Sequence, residues 1–244
     1  MRPLTLGLLF LSPAALARGL PPAPTLDVGG LTTSPLPMLA LLAAMSLVPF
    51  AVVMLTSFSK IAVVLSIART AMGTQQAPPT IVLTGLAAVL SAAIMAPVGE
   101  RMYAEWQAAY AELGPTGELA TRAGEIGAPL REFLVKHGTD EERARFVDMA
   151  RELRPESEAS AVSANDLTVV VPAFVVTELK EAFVIGFLLF LPFLVLDMLI
   201  ANVLLALGMQ TLSPSQVSLP FKILLFVSVD GWSLLARGLI LGYR

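Results

Sequence analysis

Apolar residues in this chain fall into long blocks rather than short alternations, and the blocks come in two groups. Met38 to Phe58 is a run of 21 residues without a formal charge, enough to cross a hydrocarbon core of roughly 30 Å as a helix. Lys60 follows, then the apolar octet Ile61 to Ala68 before Arg69. The helical run is therefore expected to exceed one membrane thickness, with a kink at Pro49. The stretch Gly73 to Pro79 (G-T-Q-Q-A-P-P) cannot continue a helix. Ile81 to Val98 is a second uncharged run, of 18 residues. In it Thr84, Ala88, Ala92 and Ala96 make a small-residue stripe that suits close helix packing in membranes.

A second group begins at Val169. From there to Met209 the chain is apolar except at Glu178, Lys180, Glu181 and Asp197. As one helix this segment would be about 60 Å long, so kinks or breaks are expected at Pro172 and Pro192. Leu207 to Pro220 reads as a turn, and Phe221 to Tyr243 as the return arm, carrying Lys222, Asp230 and Arg237. Between the groups, Arg101 to Leu113, Gly127 to Val135 and Asp140 to Leu153 have helical apolar spacing. Thr139 or Asp140 is the expected cap ahead of Glu142. The fold class is thus an all-α, membrane-associated protein of two long helical hairpins with a small polar helical insert.

Charge sharpens this division. Of 35 formal charges, 14 acidic and 8 basic residues lie between Glu100 and Asp166. The expected organisation is a signal peptide at 1–17, ending in an A-x-A pattern at Ala15 and Ala17, and a Pro/Gly/Thr-rich linker at 18–37. The first hairpin follows at 38–98, an acidic insert at 99–168 and the second hairpin at 169–244. A cleaved signal places the insert in the periplasm and both hairpin turns in the cytoplasm, which puts Arg69 inside, as basic residues prefer.

Composition removes most familiar chemistry. The chain of 244 residues is 56% hydrophobic and 14% charged, with a net charge of −3, and such a surface needs lipid or partner subunits while offering nucleic acid nothing. Without cysteine there are no disulfides or thiolates, and the single histidine, His137, excludes a multi-histidine metal centre. Beside Gly138 at a helix end, that histidine is expected to be solvated or capping. No cofactor and no catalytic role are expected.

Ionisable residues inside apolar segments are costly and seek partners or water. Glu178, Lys180, Glu181, Lys222 and Asp230 are accordingly expected to pair across hairpins or subunits, with Glu178 the counter-charge for Lys222. An aspartyl protease built on Asp197 and Asp230 fails on sequence, because Asp230 lies in V-D-G-W without a G-x-G-D setting. A solute or ion transporter using Glu178 and Lys222 is the rival from another class. It would be favoured by an inverted repeat between the hairpins, and none is convincing.

Four blocks then carry a resemblance. They are T-S-F-S-K-I-A-V-V-L-S-I-A-R with M-G-T-Q-Q-A-P-P (Thr56 to Pro79), V-P-A-F-V-V-T-E-L-K-E-A-F-V-I-G-F (Val171 to Phe187), L-I-A-N-V-L-L-A-L-G-M (Leu199 to Met209) and L-P-F-K-I-L-L-F-V-S-V-D-G-W (Leu219 to Trp232). In this order the chain resembles the FliP/SctR family of export-gate subunits in flagellar and virulence type III secretion systems. The resemblance implies five copies joined with SctS/FliQ-type and SctT/FliR-type subunits and the SctU/FlhB-type switch protein in the bacterial inner membrane. It also implies a channel that passes unfolded proteins, with much apparently transmembrane sequence lifted into the assembly. Its gasket loop, commonly several methionines after L-G, maps here to Met209, Gln210, Thr211 and Leu212, of which only Met209 matches. Met209 and Leu212 are expected to face the channel axis. The ending L-I-L-G-Y-R leans toward the virulence branch.

A reporter that works only outside the cytoplasm, fused near Gly138, is expected to be active. Activity of a cytoplasmic reporter alone at that position would reverse the orientation.

Overall fold

The structure is a computed structural model that describes residues 35–74, 77–113, 122–209 and 211–244. The expected signal peptide and nearly all of the linker lie outside the described residues. Ten helices run in order among those described: α1 (Pro35–Leu55), α2 (Phe58–Ala71), α3 (Thr80–Leu113), α4 (Ala123–Ile126), α5 (Ala128–His137), α6 (Asp140–Glu152), α7 (Glu156–Ala159), α8 (Leu167–Ala206), α9 (Pro214–Ser228) and α10 (Gly231–Leu241). The all-α, membrane-associated class holds: α3 and α8 are each long and apolar enough to cross a bilayer, and α1 with α2 and α9 with α10 form two bent pairs of sufficient combined length.

The chain divides into two units, Met1–Ser46 and Leu47–Arg244. Of the first, only the opening of α1 is described. The described residues are helical from Pro35 onward. Met38, Leu39, Leu42 and Met45 are exposed. The rest of this description concerns the second unit.

Pro49, where a kink is expected, lies inside the continuous helix α1. The chain bends by 66° between Leu42–Leu55 and α2, at the Thr56–Ser57 pair. Breaking a helix frees backbone groups that lipid cannot satisfy, so the break needs local polar partners. The Thr56 hydroxyl accepts from Phe58 N–H and donates to the Val52 carbonyl, and Ser57 donates to Ser91 of α3 at 3.1 Å. The hydroxyls make the bend affordable, whereas Pro49 sits within unbroken helix.

Beyond the bend, α2 buries Ile61, Val64, Leu65 and Ala68, a stripe spaced three and four residues apart. It meets Leu83, Ala87 and Leu90 of α3 and Ala182 and Phe193 of α8 in the main core. The small-residue stripe Thr84, Ala88, Ala92 and Ala96 lies on the opposite, exposed face of α3. Gly186 of α8 packs against Ile67 of α2: a Cβ built there would stand 2.4 Å from Ile67 Cδ1 and 2.9 Å from its Cγ2, so Ile67 would have to shift to admit a side chain.

Several boundaries differ from expectation. The helix of the second apolar run does not stop at Val98 but continues through Glu100 and Arg101 to Leu113, carried past Val98 and Gly99 by the good helix formers (Glu, Arg, Met, Ala, Gln) that dominate from Glu100 on. Likewise α8 passes through Pro172 and Pro192 as one helix of 40 residues. A proline removes one backbone bond, and in apolar surroundings keeping all the others outweighs breaking. The second turn is shorter than expected: α9 begins at Pro214 and includes Pro220. The return arm is instead interrupted at Val229–Asp230, where Asp230 takes a left-handed φ of 49° and α10 departs at 58° to α9.

Burial along α8 is lopsided. Val169, Val170, Ala173, Phe174, Thr177, Glu178, Ala182 and Gly186 are buried in its first half, and only Phe193 and Leu204 are buried after them. The first half is covered by α2, α5 and α6, while Phe187, Leu188, Val195, Met198 and Leu199 face outward.

Gly186→Ala should lower stability in detergent by about 1–3 kcal/mol, as overpacking does, and Ile67→Ala should relieve it in the double variant. Gly85→Ala, where nothing lies within 4 Å of the new Cβ, should leave the thermal midpoint unchanged.

Candidate functional site

Two polar clusters are built into the apolar helices, and one loop joins the arms of the second hairpin. The first cluster centres on Glu178, which is 0% exposed. Its Oε1 lies 2.9 Å from Lys60 Nζ, and the same ammonium is 2.7 Å from Oε2 of Glu181. Lys60 is itself buried and stands 4.2 Å from the centre of the Tyr243 ring. The Tyr243 hydroxyl donates to Oε2 of Glu178. Oε1 has ion-pair proximity to Lys60 without an aligned hydrogen bond, so the tyrosine supplies the directional contact. A buried carboxylate is tolerable only with such a set of partners.

Helix geometry brings these groups together. Lys60 sits in the first turn of α2, just past the Thr56–Ser57 bend, and therefore meets the middle of the first half of α8. Tyr243 returns from the end of α10 and stacks at 6.0 Å on Phe133 of α5, with His137 edge-on at 4.9 Å. His137 is thus half-buried between aromatic rings, not solvated as expected. Burial first, with the nearby Lys136 and Lys60 charges adding to it, pushes its pKa down to about 4.

The insert closes over this cluster through a short polar seam. Thr139 caps α6 by accepting from Glu142 N–H, and its own N–H donates to the Thr177 hydroxyl at 3.2 Å. A Cβ at Gly138 would stand 3.0 Å from the Leu134 carbonyl oxygen and in ordinary contact, 3.5 Å, with the Phe174 backbone. Lys180 reaches Oε1 of the buried Glu142 at 2.8 Å, and this hydrogen bond holds Glu142 below the ordinary carboxylate range. Exposed pairs such as Arg101–Glu132, at 2.6 Å, add little.

The second cluster lies toward the other end of α8. Lys222 of α9 is buried and contacts Asp197 Oδ2 at 2.6 Å, and Ser218 donates to Asp197 Oδ1 at 2.5 Å. This corrects the expected Lys222–Glu178 pairing: the two residues belong to separate clusters, because α8 keeps its full length and sets positions 178 and 197 nearly 30 Å apart at about 1.5 Å per residue. Asp230 is also not a buried partner. It is exposed at the break between α9 and α10 and forms no ion pair among the described residues. Sequence reasoning missed Lys60, Glu142 and Tyr243. The single cation between two apolar runs in T-S-F-S-K was the available signal for the first, whereas the other two had none.

The loop begins with a defined helix end. Gly208 has φ +72°, Met209 N–H bonds to the Leu204 carbonyl at 2.9 Å and Gly208 N–H to Leu205 at 3.1 Å, the Schellman pattern that glycine permits. Met209, Thr211 and Leu212 then stand exposed, with Met209 at 48% and Leu212 at 46%. Gln210 lies outside the described residues.

Tyr243→Phe keeps the ring under Lys60 but removes the donor to Glu178, and should cost about 1–3 kcal/mol. The exposed Glu132→Gln should change stability by less than about 1 kcal/mol, both read as thermal midpoints in detergent. His137 generates a pH dependence. Its folded pKa is depressed, so the unfolded chain binds a proton that the folded chain refuses between about 6.5 and about 4. Stability should fall as pH drops through that window, and His137→Phe should flatten the slope. An unchanged slope in His137→Phe would exclude this residue as its source.

Comparison with known proteins fits this architecture. A sequence model of the FliP family matches residues 41–239. The chain is 44% identical over 206 residues to the Yop proteins translocation protein R of Yersinia pestis, covering 84% of this chain and 95% of the relative. It is 43% identical over 212 residues to the hypersensitivity response secretion protein HrcR of Ralstonia nicotianae, covering 85% and 96%. The flagellar biosynthetic protein FliP of Pectobacterium carotovorum is 40% identical over 238 residues, covering 97% and 90%. With a family match across most of its length and relatives of this identity covered almost end to end, the chain belongs to the FliP family.

Proposed function

We propose that this chain is a core subunit of a type III secretion export gate, forming with homologous subunits the channel through which unfolded proteins leave the cytoplasm. The match across 41–239 carries the reading, and relatives named for secretion and translocation support it over a solute transporter. In this reading five copies assemble with SctS/FliQ-type, SctT/FliR-type and SctU/FlhB-type partners in the bacterial inner membrane, with residues 100–166 toward the periplasm. The subunit performs no catalytic step. The virulence branch is favoured by the ending L-I-L-G-Y-R, while virulence-named and flagellar relatives are similar to this chain at nearly equal identity.

The surface suits such an assembly. Phe183, Phe187, Leu191, Leu194 and Met198 recur along one side of α8 and are uncovered by this chain, a larger apolar surface than a solitary soluble protein leaves open. Neighbouring copies, partner helices and lipid would cover it. The loop of Met209 to Leu212 is the gate: apolar, flexible side chains at a constriction dewet it and yield when a polypeptide enters.

In the assembled apparatus, Met209→Ala should leak ions at rest while secretion continues, and Ser215→Ala on the same turn should not. Growth under ionic stress and conductance of the purified complex read this out. Equal leakage in both variants, or none in either, would end the case for Met209.

A further inference from the structure

Two ionisable residues of the return arm belong to neither polar cluster. Asp230 and Arg237 are both exposed, and neither forms an ion pair among the described residues. They lie one heptad apart, about 10 Å along α10 at about 1.5 Å per residue, which is nearly two whole turns. Leu234 and Leu241 stand on the same side and are 62% and 42% exposed, so α10 presents an outward stripe of acid, leucine, base and leucine. Lone charges on an otherwise apolar surface are costly unless something outside the chain answers them.

The bend ahead of α10 adds a socket to this stripe. Asp230 occupies the N-cap position with a left-handed backbone and makes no side-chain cap hydrogen bond. An aspartate there ordinarily accepts from the first turn of its helix; this carboxylate keeps its acceptor capacity for another donor. Beside it opens a cavity of about 180 Å³ lined only by apolar groups, among them Leu189 and Phe193 of α8, Phe226 of α9 and Leu234 of α10. Val229 and Gly231, the chain neighbours of Asp230, line it too. We propose that this elbow is a docking site for an apolar helix of a different subunit, which lodges an apolar side chain in the cavity, a basic residue against Asp230 and an acidic one against Arg237. The site rests on the export-gate reading above.

Charge decides the occupant. A lipid acyl chain would fill the cavity but leave both charges unanswered. A second copy has no other apolar helix with charges to spare among the described residues: Lys60 is held by Glu178 and Glu181, Lys222 by Asp197 and Lys180 by Glu142, while Arg69 donates to Thr80. Two α10 stripes laid antiparallel would match each other, Asp230 to Arg237 and the reverse. Such a two-fold contact closes a dimer and has no place in the ring of five proposed above.

The test uses the complete secretion complex, cross-linked in cells through a photo-reactive side chain at Leu241 and purified in mild detergent for native mass. The expected product joins this chain to a different subunit, at an apolar segment with a basic and an acidic residue about seven positions, or two turns, apart. Asn tolerates the left-handed backbone at position 230, and position 237 is an exposed helical site, so Asp230→Asn and Arg237→Glu test charge without disturbing the fold. Each should lower the cross-link yield about tenfold, because unmatched or like charges at a contact weaken it. Reversing the acidic residue found in the cross-linked segment should restore the yield in Arg237→Glu. The exchange Asp230→Arg with Arg237→Asp repels a foreign helix but preserves an antiparallel pair of α10 stripes. A cross-link between two copies that survives the exchange, a yield unmoved by any of these changes, or no protein cross-link at all would overturn the docking site. A native mass showing this chain without other subunits would bring down the export-gate reading, and the site with it.

Discussion

A lysine and a glutamate buried among apolar helices constrain almost everything else in this subunit. Either charge alone in such surroundings would be ruinous, so Lys60 and Glu178 must face each other wherever the chain goes. To meet Glu178, the first apolar run has to bend at Thr56–Ser57 and lay α2 along α8. To satisfy the remaining carboxylate oxygen, the C-terminal segment returns Tyr243 to the same point. Covering the cluster from the polar side requires the insert to dock through Thr139 and Glu142 on Thr177 and Lys180. One ion pair thereby links the first hairpin, the insert and the end of the second hairpin.

That concentration of internal contacts at one end of α8 leaves the other end bare. The first half of the helix is enclosed by its own chain, and the second half carries Phe187, Leu191, Met198 and Leu199 outward. The division suits a subunit that folds around its own charges and reserves its apolar length for assembly. Under the proposed function, the exposed Met209, Thr211 and Leu212 would be shaped by neighbouring subunits.

Much of this was legible in the residues. Helical class, two apolar hairpins, the helices of the insert and the Thr139 cap follow from local spacing and local hydrogen bonding, which sequence records directly. The family was readable because four long blocks recur in one order. What escaped were outcomes decided between distant elements. Glu178 and Lys222 are opposite charges in facing arms, and nothing local says that an unbroken α8 carries them apart. Pro49 suggested a kink and Pro172 and Pro192 kinks or breaks, yet the helix breaks lie at Thr56–Ser57, where hydroxyls satisfy the backbone, and at the left-handed Asp230. Tyr243 looked like the end of an apolar arm, and only the tertiary path reveals its hydroxyl against Glu178.

The central claim is that Lys60 and Glu178 act as a unit on which the packing of α2 and α8 depends, and a double-mutant cycle tests it most directly. Stability in detergent would be measured for Lys60→Met, Glu178→Met and the double variant. Each single change leaves a buried charge unpaired and should cost about 3–5 kcal/mol, whereas the double variant, with neither charge, should be far closer to wild type than the sum of the two. Effects that add to within about 0.5 kcal/mol would mean the two residues are independent, and would contradict the account.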